Sequence, residues 1–146
     1  MQNLSRHLGI DYGTKRIGVA VSDPLNIIAR GIGVVANSGD AIKEIRRLAE
    51  EYSVSTIVIG MPFNLKGEKG QKALEVEKFV GRLEAEVAAK IVKWDERFTT
   101  TRVHQTMREL GVSKTKRQSK PAVDMMAAAM ILQSYLDSRK FPHAAE

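Results

Sequence analysis

Apolar residues follow two rhythms along this 146-residue chain. From Leu8 to Tyr12, Ile17 to Ser22 and Ala29 to Val35 they form short continuous or alternating runs, separated by Gly13-Thr14-Lys15-Arg16 and Asp23-Pro24-Leu25-Asn26. Runs bounded by Gly, Pro, Asn and Asp are strands joined by tight turns, so this third of the chain predicts an antiparallel meander of three strands. After a capping segment, Asn37-Ser38-Gly39-Asp40, the period changes. Ile42, Ile45, Leu48, Ala49 and Tyr52 recur at helical spacing with Lys43, Glu44, Arg46 and Arg47 between them, which predicts an amphipathic helix. Thr56 to Gly60 then reads as a strand covered on both faces, Pro62 to Gly70 as a loop, and Ala73, Val76, Val80, Leu83 and Val87 as the inner stripe of a second helix.

Ile91 to Glu96 predicts a fifth strand. A helix is expected from Thr99 or Thr100 to Gly111, then a mobile basic loop over 112–120, then a last helix opening at Pro121 and running to about Arg139, with a frayed tail over 140–146. Strands alternating with helices pair in parallel, whereas strands joined by short turns pair antiparallel. The expected class is therefore α/β: a mixed five-stranded sheet, three antiparallel strands followed by two parallel ones, flanked by helices. Repeats, low-complexity tracts and composition shifts are absent, and the length suits one domain over 1–146.

Composition narrows the chemistry. The chain has 23 Lys and Arg against 17 Asp and Glu, a net charge of +6, which favours polyanionic partners such as nucleic acid. With no cysteine, thiolate catalysis, disulfides and Cys-ligated zinc are excluded. Any metal must therefore sit on oxygen or imidazole, and the three histidines, His7, His104 and His143, form no ligand spacing, which argues against zinc. Met1 to Arg6 holds no signal-peptide core, and no apolar run reaches the about 20 residues that span a bilayer. A soluble, cytoplasmic protein without membrane attachment is expected.

Three acidic positions stand out. Asp11 ends the first strand between Gly9 and Gly13, which leaves room for a metal or phosphate at the backbone; it also reads as a simple turn residue. Asp95-Glu96 ends the fifth strand and precedes Arg97, Thr99 and Thr100. The carboxyl ends of parallel strands form the crevice where ligands bind, although a threonine here also reads as a helix cap and Arg97 as a local ion-pair partner. Asp124 sits in the first turn of the last helix, where the helix dipole alone favours an acid.

Brought together, such carboxylates would hold two divalent ions, Mg²⁺ or Mn²⁺, that activate water and stabilise the entering and leaving oxygens of a phosphodiester displacement. Lys15, Arg16, Arg97, Thr99 and Thr100 would then lie near the scissile group, and Lys114, Lys116, Arg117 and Lys120 would hold the phosphate backbone. The alternative for that basic run is a solvated surface loop. Alternation along the strand does not choose between Asp95 and Glu96. Trp94 reads as core rather than as a base-stacking platform.

The segment Gly9-Ile10-Asp11-Tyr12-Gly13-Thr14-Lys15-Arg16-Ile17-Gly18-Val19-Ala20 resembles the opening of the YqgF (RuvX) family of pre-16S rRNA nucleases and Holliday-junction resolvase homologues. Gly60-Met61-Pro62 with Gly67, Gln71 and Phe79, Asp95-Glu96-Arg97-Phe98-Thr99-Thr100, and Asp124 with Ala127, Ala128, Ile131, Leu132, Tyr135 and Leu136 extend the resemblance from Leu8 to Leu136. It departs at Pro121 and Met125-Met126, neither of which removes a ligand. The resemblance implies a ribonuclease H-like fold, a catalytic set of Asp11, Glu96 and Asp124 with Asp95 as accessory ligand, and a substrate that is pre-rRNA or, alternatively, a branched DNA junction. A resolvase would work as a homodimer, because two strands are nicked symmetrically; an RNA-processing enzyme could be a monomer. A non-catalytic RNA-binding factor is the alternative from another class. A nucleotide-clasping actin-like ATPase is excluded by length.

Overall fold

The computed structural model describes residues 5–63, 66–98 and 120–140. Its elements are β1 (Arg6–Asp11), β2 (Arg16–Ser22), β3 (Ala29–Ala36), α1 (Ala41–Glu51), β4 (Val54–Met61), α2 (Gln71–Glu86), β5 (Lys90–Asp95), a 3₁₀ turn (Glu96–Phe98) and a helix, here α3 (Lys120–Lys140). The strands form one sheet in the order β3-β2-β1-β4-β5, with β1–β2 and β2–β3 antiparallel and β1–β4 and β4–β5 parallel. The expected mixed sheet is present. Its organising strand is β1, which is shared between the antiparallel half and the parallel half.

Alternation along the strands divides the core into two layers. Leu8, Ile10, Ile17, Val19, Ile57, Ile59 and Met61 point to α1 and α2, where they meet Ile45, Val76, Phe79 and Leu83. Ala20 and Val58 point to the opposite face and meet Ala128, Ile131, Leu132 and Leu136 of α3, with Trp94 packed alongside as expected. The buried residues of α1, Ala41, Ile45 and Ala49, lie along one stripe, and on its exposed side Arg47 pairs with Glu44 and Glu51, each at 3.0 Å. Helix α3 lies close on the sheet because Gly9 offers no side chain; a methyl there would sit 2.7 Å from Leu132 Cβ and 2.8 Å from the Ala128 carbonyl. Gln133 ties α3 to the β2–β3 hairpin, accepting from the Ala29 N–H at 2.8 Å and donating to the Ile27 carbonyl at 2.9 Å.

Several boundaries differ from the expectation, and the strands β1 and β4 begin two residues earlier, at Arg6 and Val54. The fifth strand stops at Asp95, because the Asp95 carboxylate accepts the Arg97 backbone N–H at 2.9 Å and curls the chain into the 3₁₀ turn. Val87 is the C-cap of α2 rather than part of its stripe, and Phe79 is buried instead. Helix α3 extends one residue beyond the expected bounds at each end, to Lys120 and Lys140. The expected helix from Thr99 or Thr100 to Gly111, the rest of the basic loop and residues 141–146 lie outside the described residues. Among the described residues no helix is long and apolar enough to cross a membrane.

Candidate active site

Strands β1, β4 and β5 are parallel, so Asp11, Met61 and Asp95 end at the same edge of the sheet, and β2 begins there with Arg16. Asp11 stands on the central strand, flanked on both neighbouring strands by glycine. Its partner in β2 is Gly18, and the rung after Ile10↔Ile59 brings Gly60 of β4 alongside.

Both bare positions are filled by parts of the chain that carry another acid. The backbone of Asp124, in the first turns of α3, lies directly over Gly18, where any Cβ would collide with its carbonyl oxygen. The carboxylate of Glu96 lies over Gly60: a methyl there would stand 2.7 Å from Glu96 Oε1 and 2.8 Å from its Cγ. Two missing side chains thus let two acids, distant in sequence, approach Asp11 from either side.

The electrostatics report the same convergence. Burial, reinforced by the charge of Glu96 and then that of Asp124, pushes the Asp11 carboxyl from 3.8 up to about 7, against an opposing pull from Lys72. Burial also raises Glu96, again opposed by Lys72, with Asp95 adding to the rise. Like charges gathered in a partly enclosed site raise one another's proton affinity, and perturbed carboxylates of this kind mark functional sites.

Asp95 behaves differently. Arg97 donates to it from Nη2 at 2.6 Å and from Nε at 2.9 Å, and that hydrogen bonding, opposed in part by burial, holds Asp95 below the ordinary carboxylate range. The guanidinium also lies 5.8 Å from the centre of the Phe63 ring, so Arg97 links the end of β5 to the loop after β4. Asp95 and Arg97 engage each other, while Glu96 turns to Asp11.

Arg16 donates through Nε to Asp124 Oδ2 at 3.1 Å, which draws that carboxylate toward the start of β2. Among the described residues no three His, Asp or Glu side chains are grouped tightly enough to hold a metal ion as they stand. Lys15 is exposed in the β1–β2 turn, with its carbonyl accepting the Asn37 N–H at 2.9 Å. Lys120 opens α3; Thr99, Thr100, Lys114, Lys116 and Arg117 lie outside the described residues. Sequence reasoning missed Lys72, whose charge acts on both Asp11 and Glu96. Its only sequence signal was a cation in the first turn after Gly70.

Comparison with known proteins identifies the relatives of this chain. A protein of Ruminiclostridium cellulolyticum named as a candidate pre-16S rRNA nuclease is 46% identical over 135 residues, covering 90% of this chain and 94% of that one. A Geobacillus kaustophilus protein of the same name is 43% identical, covering 92% and 99%. Among solved structures, Thermus thermophilus RuvC aligns at a TM-score of 0.57 with 16% identity, covering 92% and 96%. The fowlpox virus Holliday junction resolvase aligns at 0.55 with 11% identity, covering 92% and 99%. These distant likenesses establish the fold, that of the RuvC-like, ribonuclease H-type nucleases. The RuvX family model, described as Holliday junction resolvase, matches residues 5–138. The chain therefore belongs to the RuvX family, and it is a nuclease, a hydrolase acting on nucleic acid.

Proposed function

We propose that this nuclease processes the 5′ end of pre-16S rRNA in the cytoplasm during ribosome biogenesis, with Asp11, Glu96 and Asp124 as its metal-binding set. The observation that carries the reading is the pair of bare glycines, Gly18 and Gly60, that bring an acid to each side of Asp11. Relatives at 41–46% identity that are named as candidate pre-16S rRNA nucleases support rRNA as the substrate.

The donor set fits Mg²⁺ or Mn²⁺. It is made of hard carboxylate oxygens, and His7 lies at the far end of β1. Burial, with the charges of Glu96 and Asp124 added to it, drives Asp11 to about 7 and describes a centre that would gain from bound positive charge. Bound divalent ions would supply that charge, together with the activation of water and the stabilisation of the phosphodiester oxygens that hydrolysis requires.

The chain's own groups do the positioning. Asp11 and Glu96 present the carboxylates, and Arg16 orders that of Asp124 while bringing a guanidinium to the edge where substrate phosphates must pass. Asp95, engaged by Arg97, shapes the turn that aims Glu96. Lys15 and the basic run Lys114, Lys116, Arg117 and Lys120 would hold flanking phosphates.

The family description and the resolvase neighbours favour a second substrate, the four-way DNA junction. One experiment separates these readings: a pre-16S 5′-leader fragment and a four-way junction are incubated with wild type, Asp11→Asn and Glu96→Gln, with and without Mg²⁺. The proposal expects RNA cleavage by the wild type alone, dependent on metal. Faster junction cleavage would replace rRNA with branched DNA. Binding of RNA without cleavage would make the chain a binding factor, and undiminished cleavage by the variants would refute the carboxylate centre.

A further inference from the structure

The turn between β1 and β2 joins Asp11 to Arg16, and it is tied down from a third strand. At the end of β3 the last rung of the sheet pairs Ala36 with Arg16. Asn37, the next residue, continues the ladder: its backbone N–H donates to the Lys15 carbonyl at 2.9 Å. Its side chain reaches further into the turn, where Nδ2 donates to the Gly13 carbonyl at 2.8 Å. Gly13 packs directly on the Arg16 backbone, since any Cβ there would collide with the Arg16 carbonyl oxygen. One residue thus grips the turn at two carbonyls, one of them in the peptide group that leads into Arg16. A single ladder bond leaves a turn free to pivot; a second bond at its far carbonyl removes that freedom. The Arg16 side chain passes the placement on, donating through Nε to Asp124 Oδ2 at 3.1 Å.

We propose that Asn37 is a positioning residue for the cleavage reaction: through the Gly13 and Lys15 carbonyls it fixes the backbone of Arg16, and so the reach of the guanidinium that orders Asp124. The inference rests on the reading of Asp11, Glu96 and Asp124 as the reaction centre. Arg16 needs the placement because a guanidinium donates from a rigid planar fork, so a small shift of its backbone spoils the geometry of its bond. Asparagine suits the role because its amide is a neutral donor on a short arm. Aspartate has the same size and the same preference for turns, but its carboxylate cannot donate to the Gly13 carbonyl.

The test compares Asn37→Ala, Asn37→Asp, Arg16→Met and the double variant Asn37→Ala with Arg16→Met against wild type, by melting temperature and by cleavage of a pre-16S 5′-leader RNA with Mg²⁺. In Asn37→Ala kcat should fall about tenfold, as for the loss of one hydrogen bond that positions a reacting group, and KM should change less. Asn37→Asp should lose at least as much while melting near the wild-type temperature. In the Arg16→Met background Asn37→Ala should cost no further kcat, because the group it positions is gone. A second readout involves no cleavage: in EDTA the Arg16 Nε–H, shielded by its bond to Asp124, should exchange with solvent faster in Asn37→Ala, as followed by nitrogen–proton NMR. Wild-type kcat in Asn37→Asp, an undiminished loss in the Arg16→Met background, or unaltered Nε–H exchange would each overturn the proposal. Any of these with Asp11→Asn inactive refutes the positioning alone; cleavage by Asp11→Asn refutes the carboxylate centre beneath it.

Discussion

Replacing Asp11 with Asn should make the metal-free protein more stable at alkaline pH, and the size of the effect follows from the site. The Asp11 carboxyl titrates at about 7 in the folded chain and at 3.8 in its ordinary state. The folded state therefore binds more protons than the unfolded one between these values, and stability falls as pH rises through that window. The sign is the reverse of the usual salt-bridged aspartate. Below pH 3.8 the carboxyl is neutral in both states and costs nothing; above pH 7 the full cost is present. About three powers of ten in proton affinity correspond to ~4 kcal/mol, an upper bound, since Glu96 and Asp124 can share the strain. Asn has nearly the same shape and no charge, so the stability difference between variant and wild type should be about 1 kcal/mol at about pH 4.5 and reach up to ~4 kcal/mol at about pH 8.5. In a chain of this size that corresponds to roughly 10 °C in melting temperature. Urea unfolding in EDTA at the two pH values measures it. Adding Mg²⁺ should stabilise the wild type and leave the variant unmoved, because a ligand that binds only the folded state raises its stability by mass action. Parallel pH dependences in the two proteins would show that Asp11 carries no such charge burden.

Two further substitutions probe how the site is held. Gly60→Ala places a methyl 2.7 Å from both Glu96 Oε1 and Ile131 Cδ1; displacing Glu96 by about an ångström should lower the cleavage rate on the order of a hundredfold for about 1–3 kcal/mol of stability, and a melting curve beside a cleavage time course would expose wild-type activity as the contrary result. Leu132→Ala removes a fully buried side chain packed under Gly9. It should cost about 2–5 kcal/mol in denaturant unfolding, whereas a cost under about 1 kcal/mol would mean that α3 does not seal this face of the sheet.

The local elements were legible because their signals are local. The alternating run in β2, the continuous Ile-Val-Ile of β4 and the helical stripe of α1 each carry their period within a few residues, and each formed as expected. The choice between Asp95 and Glu96 was not legible from the strand, since it depends on where β5 ends. Asp95 captures the Arg97 N–H, stops the strand and swings Glu96 over Gly60, a contact set by a neighbouring strand far away in sequence. Lys72 was passed over for the same kind of reason: its charge acts on Asp11 and Glu96, acids far from it in the chain.

The sequence by itself determined the alternation of strands and helices, the absence of thiol chemistry, and the carboxylates available for a metal, because propensity, periodicity and residue type are properties of short segments. Only the tertiary structure decided that β1 lies between β2 and β4, so that Asp11 has a glycine on either side. It also decided which acids fill the two gaps, since the approach of Glu96 and Asp124 to Asp11 is a matter of strand order and helix docking. Burial and like charge, which raise the proton affinity of Asp11 and Glu96, exist only once the chain has folded around them.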